Sequence, residues 1–173
     1  MSLIKQDLDL WLDQVDYKDL VQGSYIPSEF ALTFMNFIKL VNGPQGESHV
    51  TPPVHLKMLD KVVSGNPYVA NLCFRGAAKT TLFMEYFVLF LATFGALPEF
   101  GEVSGMIYVS DSMDNGVKSA RKNIEFRYNN SEFLREWVPK ATFTDNYLEF
   151  SSKAGHMLGC KMFGAKTGLR GTK

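Results

Sequence analysis

Four segments in immediate succession constrain this chain more than any other feature. They are an apolar run "YVANLCF" (68–74), a small-residue turn carrying Lys79, a long hydrophobic run "LFMEYFVLFLATFGAL" (82–97) and a second apolar run "GMIYVS" (105–110). The first run is bounded by Asn66-Pro67 and Gly76, which suits a short buried strand; residues 79–94 read as one hydrophobic helix. Strand, helix, strand in this order predicts a parallel βαβ unit, and so an α/β fold with a mainly parallel sheet. The hydrophobic run is interrupted by Glu85 and ended by Gly95 and Pro98. It falls short of the roughly 20 apolar residues a membrane span needs, so a buried helix and no membrane partner are expected.

Helical signals precede this unit. Leu8, Trp11, Leu12, Val15 and Leu20 recur at helical spacing over 3–21, with Gly23 as a stop. Residues 27–41 form a second expected helix opened by Pro27, and 52–65 a third, opened by Pro52-Pro53 and closed by Gly65. Downstream, 114–137 reads as a basic helical stretch that Asn129-Asn130-Ser131 divides, Ser131 capping the second part. "ATFTDNYLEFS" alternates about Asp145-Asn146 as a hairpin does, and "GHMLGCKMFGA" continues in strand-like residues. The expected organisation is a helical lead-in over 1–65 and a core over 66–173. A length of 173 residues suits a single domain.

The zero net charge argues against a strongly basic nucleic-acid binder, but the charges are unevenly spread. Residues 1–60 hold four basic against eight acidic residues, and residues 115–173 eleven against five. That gradient permits a basic C-terminal surface, with scattered solvated charges as the plain alternative. Cys73 and Cys160 form no metal spacing or disulfide framework, and no basic flank with an apolar core marks a secretory signal. A reducing compartment fits best.

The turn Cys73-Phe74-Arg75-Gly76-Ala77-Ala78-Lys79-Thr80 has the spacing of a phosphate-binding loop, G-x-x-x-x-G-K-[ST], with both glycines replaced. Such a loop needs backbone N–H groups turned inward, a lysine that reaches the terminal phosphates and a neighbouring hydroxyl for Mg²⁺. Lys79 and Thr80 meet the last two needs, and Cys73 and Ala78 stand where the glycines would. The helix that follows directs its N-terminus at the phosphates. The residues therefore predict a nucleotide site: Gly76, Ala77, Ala78, Lys79, Thr80 and Thr81 on the phosphates, Thr80 on Mg²⁺, and Lys79 neutralising the terminal phosphates. Against it stands a small-residue turn with a solvated lysine.

At these residues the sequence resembles the ATPase domain of the large terminase subunit of tailed bacteriophages, whose deviant phosphate loop often carries an arginine three residues before the second glycine position. Arg75 stands there relative to Ala78, and the resemblance implies a catalytic role for it, sensing the terminal phosphate or contacting a neighbouring subunit, with a structural salt bridge as the plain alternative. "FMNFIKLVNG" and "VTPPVHLKMLDKVVSGNPYVANLCFRGAAKTT" resemble that family's helical lead-in. "MIYVSDSMDNGVKSARKNIEFRYNN" resembles its second strand and long helix, and "LGCKMFGAKTGLRG" its strand and G-x-R-G loop. The resemblance covers most of residues 30–173. It implies a P-loop NTPase core in a motor that uses ATP and Mg²⁺ to drive double-stranded viral DNA into a capsid. It further implies a homo-oligomeric ring at the portal protein, a small terminase subunit as partner, and the host cytoplasm as location. In that family an apolar strand ending in acidic residues follows the G-x-R-G loop; no such segment occurs up to Lys173. The chain is therefore expected to be an N-terminal portion that binds nucleotide weakly and hydrolyses it poorly.

Further candidates each carry a plain alternative. Asp111, ending the second strand, is either near the site or a helix cap. His55 with Pro52-Pro53 flanks an adenine or simply starts a packed helix. Arg170 contacts phosphate or lies on a free end. Lys118, Arg121, Lys122 and Arg127 form a DNA-facing surface or a solvated one. Two readings of the whole chain stay open beside the packaging motor: another P-loop or helicase-like ATPase, and a non-catalytic interaction domain.

Overall fold

The computed structural model describes residues 25–43 and 51–165. The helix expected over 3–21, the loop around 44–50 and Arg170 lie outside the described residues.

Helix α1 (Glu29–Asn42) starts two residues after Pro27, because the Ser28 hydroxyl accepts a hydrogen bond from the Ala31 N–H at 3.1 Å and caps the first turn. It ends at Gly43, whose φ of 62° lets its N–H turn back to the last carbonyls. Helix α2 (Pro53–Val62) has proline at its first position, where no N–H is needed, and buries Leu56, Met58 and Leu59. Asp60 of α2 joins the two: its carboxylate accepts from the Ser28 N–H at 2.9 Å and from the Tyr25 hydroxyl. Burial and that carboxylate raise the pKa of Tyr25 above the usual phenol value.

The expected strand over 68–74 does not form: these residues have no regular structure, and Tyr68, Leu72 and Phe74 are 87%, 98% and 71% exposed. A lone strand leaves all of its backbone N–H and C=O groups without ladder partners, so an apolar run becomes a strand only where a neighbour is available. Among the described residues none pairs with it.

The hydrophobic run is helical as expected, but its opening is not regular. Thr81–Tyr86 winds as a π-helix and continues into α3 (Phe87–Phe94), which Gly95 ends in the left-handed conformation at φ 71°. Phe30, Phe34 and Phe37 of α1 interlock with Phe87, Phe90 and Phe94 of α3, ring centroids 5.1–5.8 Å apart in the tilted and edge-on arrangements aromatic rings favour. This stack occupies one side of the core.

After a small hairpin of β1 (Ala96–Leu97) and β2 (Gly101–Glu102) comes β3 (Gly105–Ser110), the strand expected there. A π-helical turn (Met113–Val117) leads into α4 (Lys118–Asn130), and Ser131 caps the short α5 (Glu132–Trp137) as its position predicted, accepting from the Leu134 N–H. β4 (Lys140–Phe143) and β5 (Tyr147–Ser151) form the antiparallel hairpin read from the alternation around Asp145-Asn146, and β6 (Met157–Gly164) completes the sheet. The strand order is β3-β6-β5-β4; only β3 and β6 run parallel, and both other pairings are antiparallel. The mainly parallel sheet expected from the sequence is thus corrected to a mixed one in a mixed α/β structure. The reason lies in two places: the first apolar run supplies no strand, and a local hairpin supplies two antiparallel ones.

Alternation assigns the sheet faces. Leu148, Phe150, Leu158, Cys160 and Met162 are fully buried against the helices, while Ile107, Val109 and Met157 on the other face are 58%, 49% and 56% exposed. The two edges differ as well. β4 is short, follows Pro139 and opens with Lys140, features that discourage strand addition; β3 is six residues long, uncharged, and free on one side among the described residues.

Candidate functional site

The turn between residues 73 and 81 does fold as a loop entering a helix. Gly76 has φ 92° and Ala78 φ 50°, so two residues two positions apart adopt left-handed conformations. That region favours glycine, and Ala78 occupies it at the position where the loop pattern asks for glycine. The Lys79 side chain turns back over the loop: its ammonium donates to the Phe74 carbonyl at 3.0 Å and to the Cys73 carbonyl at 3.4 Å. A cation is therefore held across the mouth of the turn by acceptors that a phosphate group could replace. The Ala77 N–H reaches the Phe74 carbonyl at a long 3.4 Å, and Leu82 N–H to Ala78 carbonyl at 2.9 Å begins the helix.

The loop is braced from α2. His55 Nε2 lies 2.9 Å from the Ala77 carbonyl oxygen, an acceptor only, so the proton belongs on Nε2. The Cys73 thiol meets the Met58 sulfur at 3.8 Å. His55, expected beside an adenine or at a packed helix start, lies in the first turn of α2, where it braces the loop. Ala77 is buried, whereas Arg75, Gly76, Ala78 and Thr80 are exposed and Lys79 and Thr81 half-buried. Arg75 joins no ion pair among the described residues.

No group of three or more His, Cys, Asp or Glu able to hold a metal occurs among the described residues. Mg²⁺ commonly binds through one or two protein oxygens together with substrate phosphates, and the Thr80 hydroxyl would be the oxygen offered here. Asp111 directly follows β3 and accepts from the Ser110 hydroxyl at 3.0 Å; the cap of the next turn is Ser112, which accepts from the Asn115 N–H at 3.2 Å. The capping role expected of Asp111 thus falls one residue later.

The basic face expected on 118–127 is largely neutralised. Lys118 pairs with Asp114 at 2.6 Å, Arg121 with Glu125 at 2.8 Å and Arg127 with Glu85 at 2.8 Å, leaving Lys122. The Asp114–Lys118 hydrogen bond lowers the aspartate pKa and raises that of the lysine. Arg127 also donates to the Tyr86 hydroxyl and lies over its ring, 4.2 Å from the centroid. Glu85, 3% exposed, accepts from Asn123 as well at 2.9 Å. Sequence reasoning treated Glu85 only as a break in a hydrophobic run. Its spacing of four from Thr81, on a helix with an otherwise apolar sequence, was the available signal.

Compared with known protein families, curated proteins and solved structures, the chain matches none of them.

Proposed function

We propose that residues 75–81 bind the triphosphate of ATP with Mg²⁺, and that the chain is the ATPase portion of a viral DNA-packaging motor, a terminase large subunit. The observation that carries the nucleotide reading is the Lys79 ammonium held over a loop with left-handed turns at Gly76 and Ala78. In this reading Lys79 exchanges two carbonyls for the terminal phosphates and offsets their charge. The N–H groups of Gly76, Ala77 and Ala78, with those of Thr80 and Thr81 at the helix start, donate to phosphate oxygens. Thr80 offers its hydroxyl to Mg²⁺. Arg75, exposed and without an ion pair among the described residues, extends to the terminal phosphate or to a neighbouring subunit of the ring. ATP hydrolysis in the complete polypeptide then powers double-stranded DNA movement at the portal protein, with the small terminase subunit selecting DNA, in the host cytoplasm. The motor assignment rests on the sequence resemblance around Arg75 and over residues 30–173.

Titration calorimetry with Mg-ATP tests the nucleotide reading. Binding that Lys79→Ala abolishes is expected; equal negligible heats from both proteins would overturn it. For the motor, hydrolysis by the complete polypeptide should rise on adding double-stranded DNA and vanish in Lys79→Ala. Hydrolysis indifferent to duplex DNA would instead favour another P-loop ATPase. A non-catalytic interaction domain is the second reading, favoured by exposed Tyr68, Leu72 and Phe74 beside the loop.

A further inference from the structure

A cavity of about 280 Å³ opens between the loop-bearing helix and α4, lined by Thr81, Glu85, Asn123, Phe126 and Arg127. Its polar groups are fixed rather than loose. Glu85 is almost fully buried, and its two oxygens are held by Asn123 and Arg127 at 2.9 and 2.8 Å. The Glu85–Arg127 pair leaves the cavity without a net charge from these two groups, so it favours a neutral polar ligand over a second phosphate. Asn123 spends one amide hydrogen on Glu85, which leaves its other hydrogen and its amide oxygen for a guest. Phe126 stands 67% exposed on the same wall, an aromatic face with nothing stacked on it among the ring contacts of the described residues.

A neutral planar group with donors and acceptors on its edge and a π face is what these walls match. The volume lies just below the roughly 300 Å³ at which pockets begin to enclose a whole drug-sized ligand, so it takes a part of a molecule. Thr81 lines this cavity and directly follows Thr80 in the loop. We propose that the cavity receives the adenine base of the nucleotide whose phosphates sit on the loop, with Phe126 stacking on the ring and Asn123 reading its edge. The proposal rests on the phosphate-loop reading and adds where the base goes.

Affinities of the full chain for Mg-ATP and for magnesium tripolyphosphate, which has no base, separate the two ideas. Wild type should bind Mg-ATP at least about tenfold more tightly, the size expected of one stacked base. Phe126→Ala, at an exposed position that folding tolerates, should remove about tenfold from Mg-ATP and leave tripolyphosphate unchanged. Asn123→Ala should narrow the preference for ATP over a nucleotide with a different base edge. Equal affinities for ATP and tripolyphosphate in wild type, both lost in Lys79→Ala, would overturn the base site and leave the loop reading standing. An unchanged ATP affinity in Phe126→Ala would also overturn it. No binding of either compound would overturn both.

Discussion

Replacing Ala78 with glycine tests whether the loop has the shape described. In most places Ala→Gly loosens the unfolded chain and costs about 0.4–1 kcal/mol, or about 1 kcal/mol inside a helix. At φ 50° the Ala78 methyl group sits in the left-handed region, where it costs about 1–2 kcal/mol. Glycine removes that strain and adds the unfolded-state penalty, so the net effect is a stabilisation of about 0.5 kcal/mol. For a chain of this size that raises the melting temperature by about 1–2 °C. The reciprocal change, Gly76→Ala, places a methyl group at φ 92°. Open space surrounds it, so the whole cost is backbone strain of at least about 1 kcal/mol. Urea and thermal unfolding of both variants against wild type give the comparison. An Ala78→Gly variant about 1 kcal/mol less stable than wild type would show that the residue is not left-handed. The nucleotide loop would lose its geometric basis with it.

Three further outcomes are expected. Arg127→Met leaves the Glu85 carboxylate buried without its ion partner and should cost about 3 kcal/mol in urea unfolding, part of which Glu85→Gln in the same chain restores; no cost would mean the pair is solvated. Phe37→Ala, at the meeting point of Phe34, Phe90, Phe94 and Phe133, should cost about 3–5 kcal/mol, and a loss below about 1 kcal/mol would show that α1 is not docked on α3. Burial pushes the Cys160 thiol up to about 12, so at pH 8 it stays protonated and a disulfide reagent should label only Cys73 until the chain unfolds; two fast labels in the native protein would contradict the sheet packing.

Local signals were legible wherever the partner needed was local too. Ser131 caps α5 with its own hydroxyl, Asp145-Asn146 turns a hairpin whose strands meet each other, and the phenylalanines of 30–37 and 87–94 fall on helical faces that must be covered. "YVANLCF" reads as a strand by the same rules, yet a strand is a property of a pair, and its partner is not among the described residues. The mixed sheet followed from that missing strand together with the antiparallel hairpin of β4 and β5. In the loop, Lys79 and Thr80 were legible by spacing, and Gly76 by its freedom at positive φ. Ala78 in a left-handed conformation was not, because a methyl group normally argues against it. The brace from His55 and the polar set around Glu85 were missed since they join residues 22 and 38 to 42 positions apart, beyond the reach of a periodic pattern.

The π-helical opening at Thr81–Tyr86 has a consequence for how this region tolerates change. A wide turn carries an extra residue compared with an α-helix of the same rise, and one residue corresponds to about 100° of rotation. Everything upstream, including Lys79 and Thr80, is thereby indexed against the Phe87–Phe94 face by that one residue. Deleting a single residue within the segment lets the helix close to ordinary winding, keeps the aromatic face on α1, and swings the lysine about a third of a turn around the helix axis. Length in this segment thus acts as an angular setting for the loop relative to the Phe87–Phe94 face.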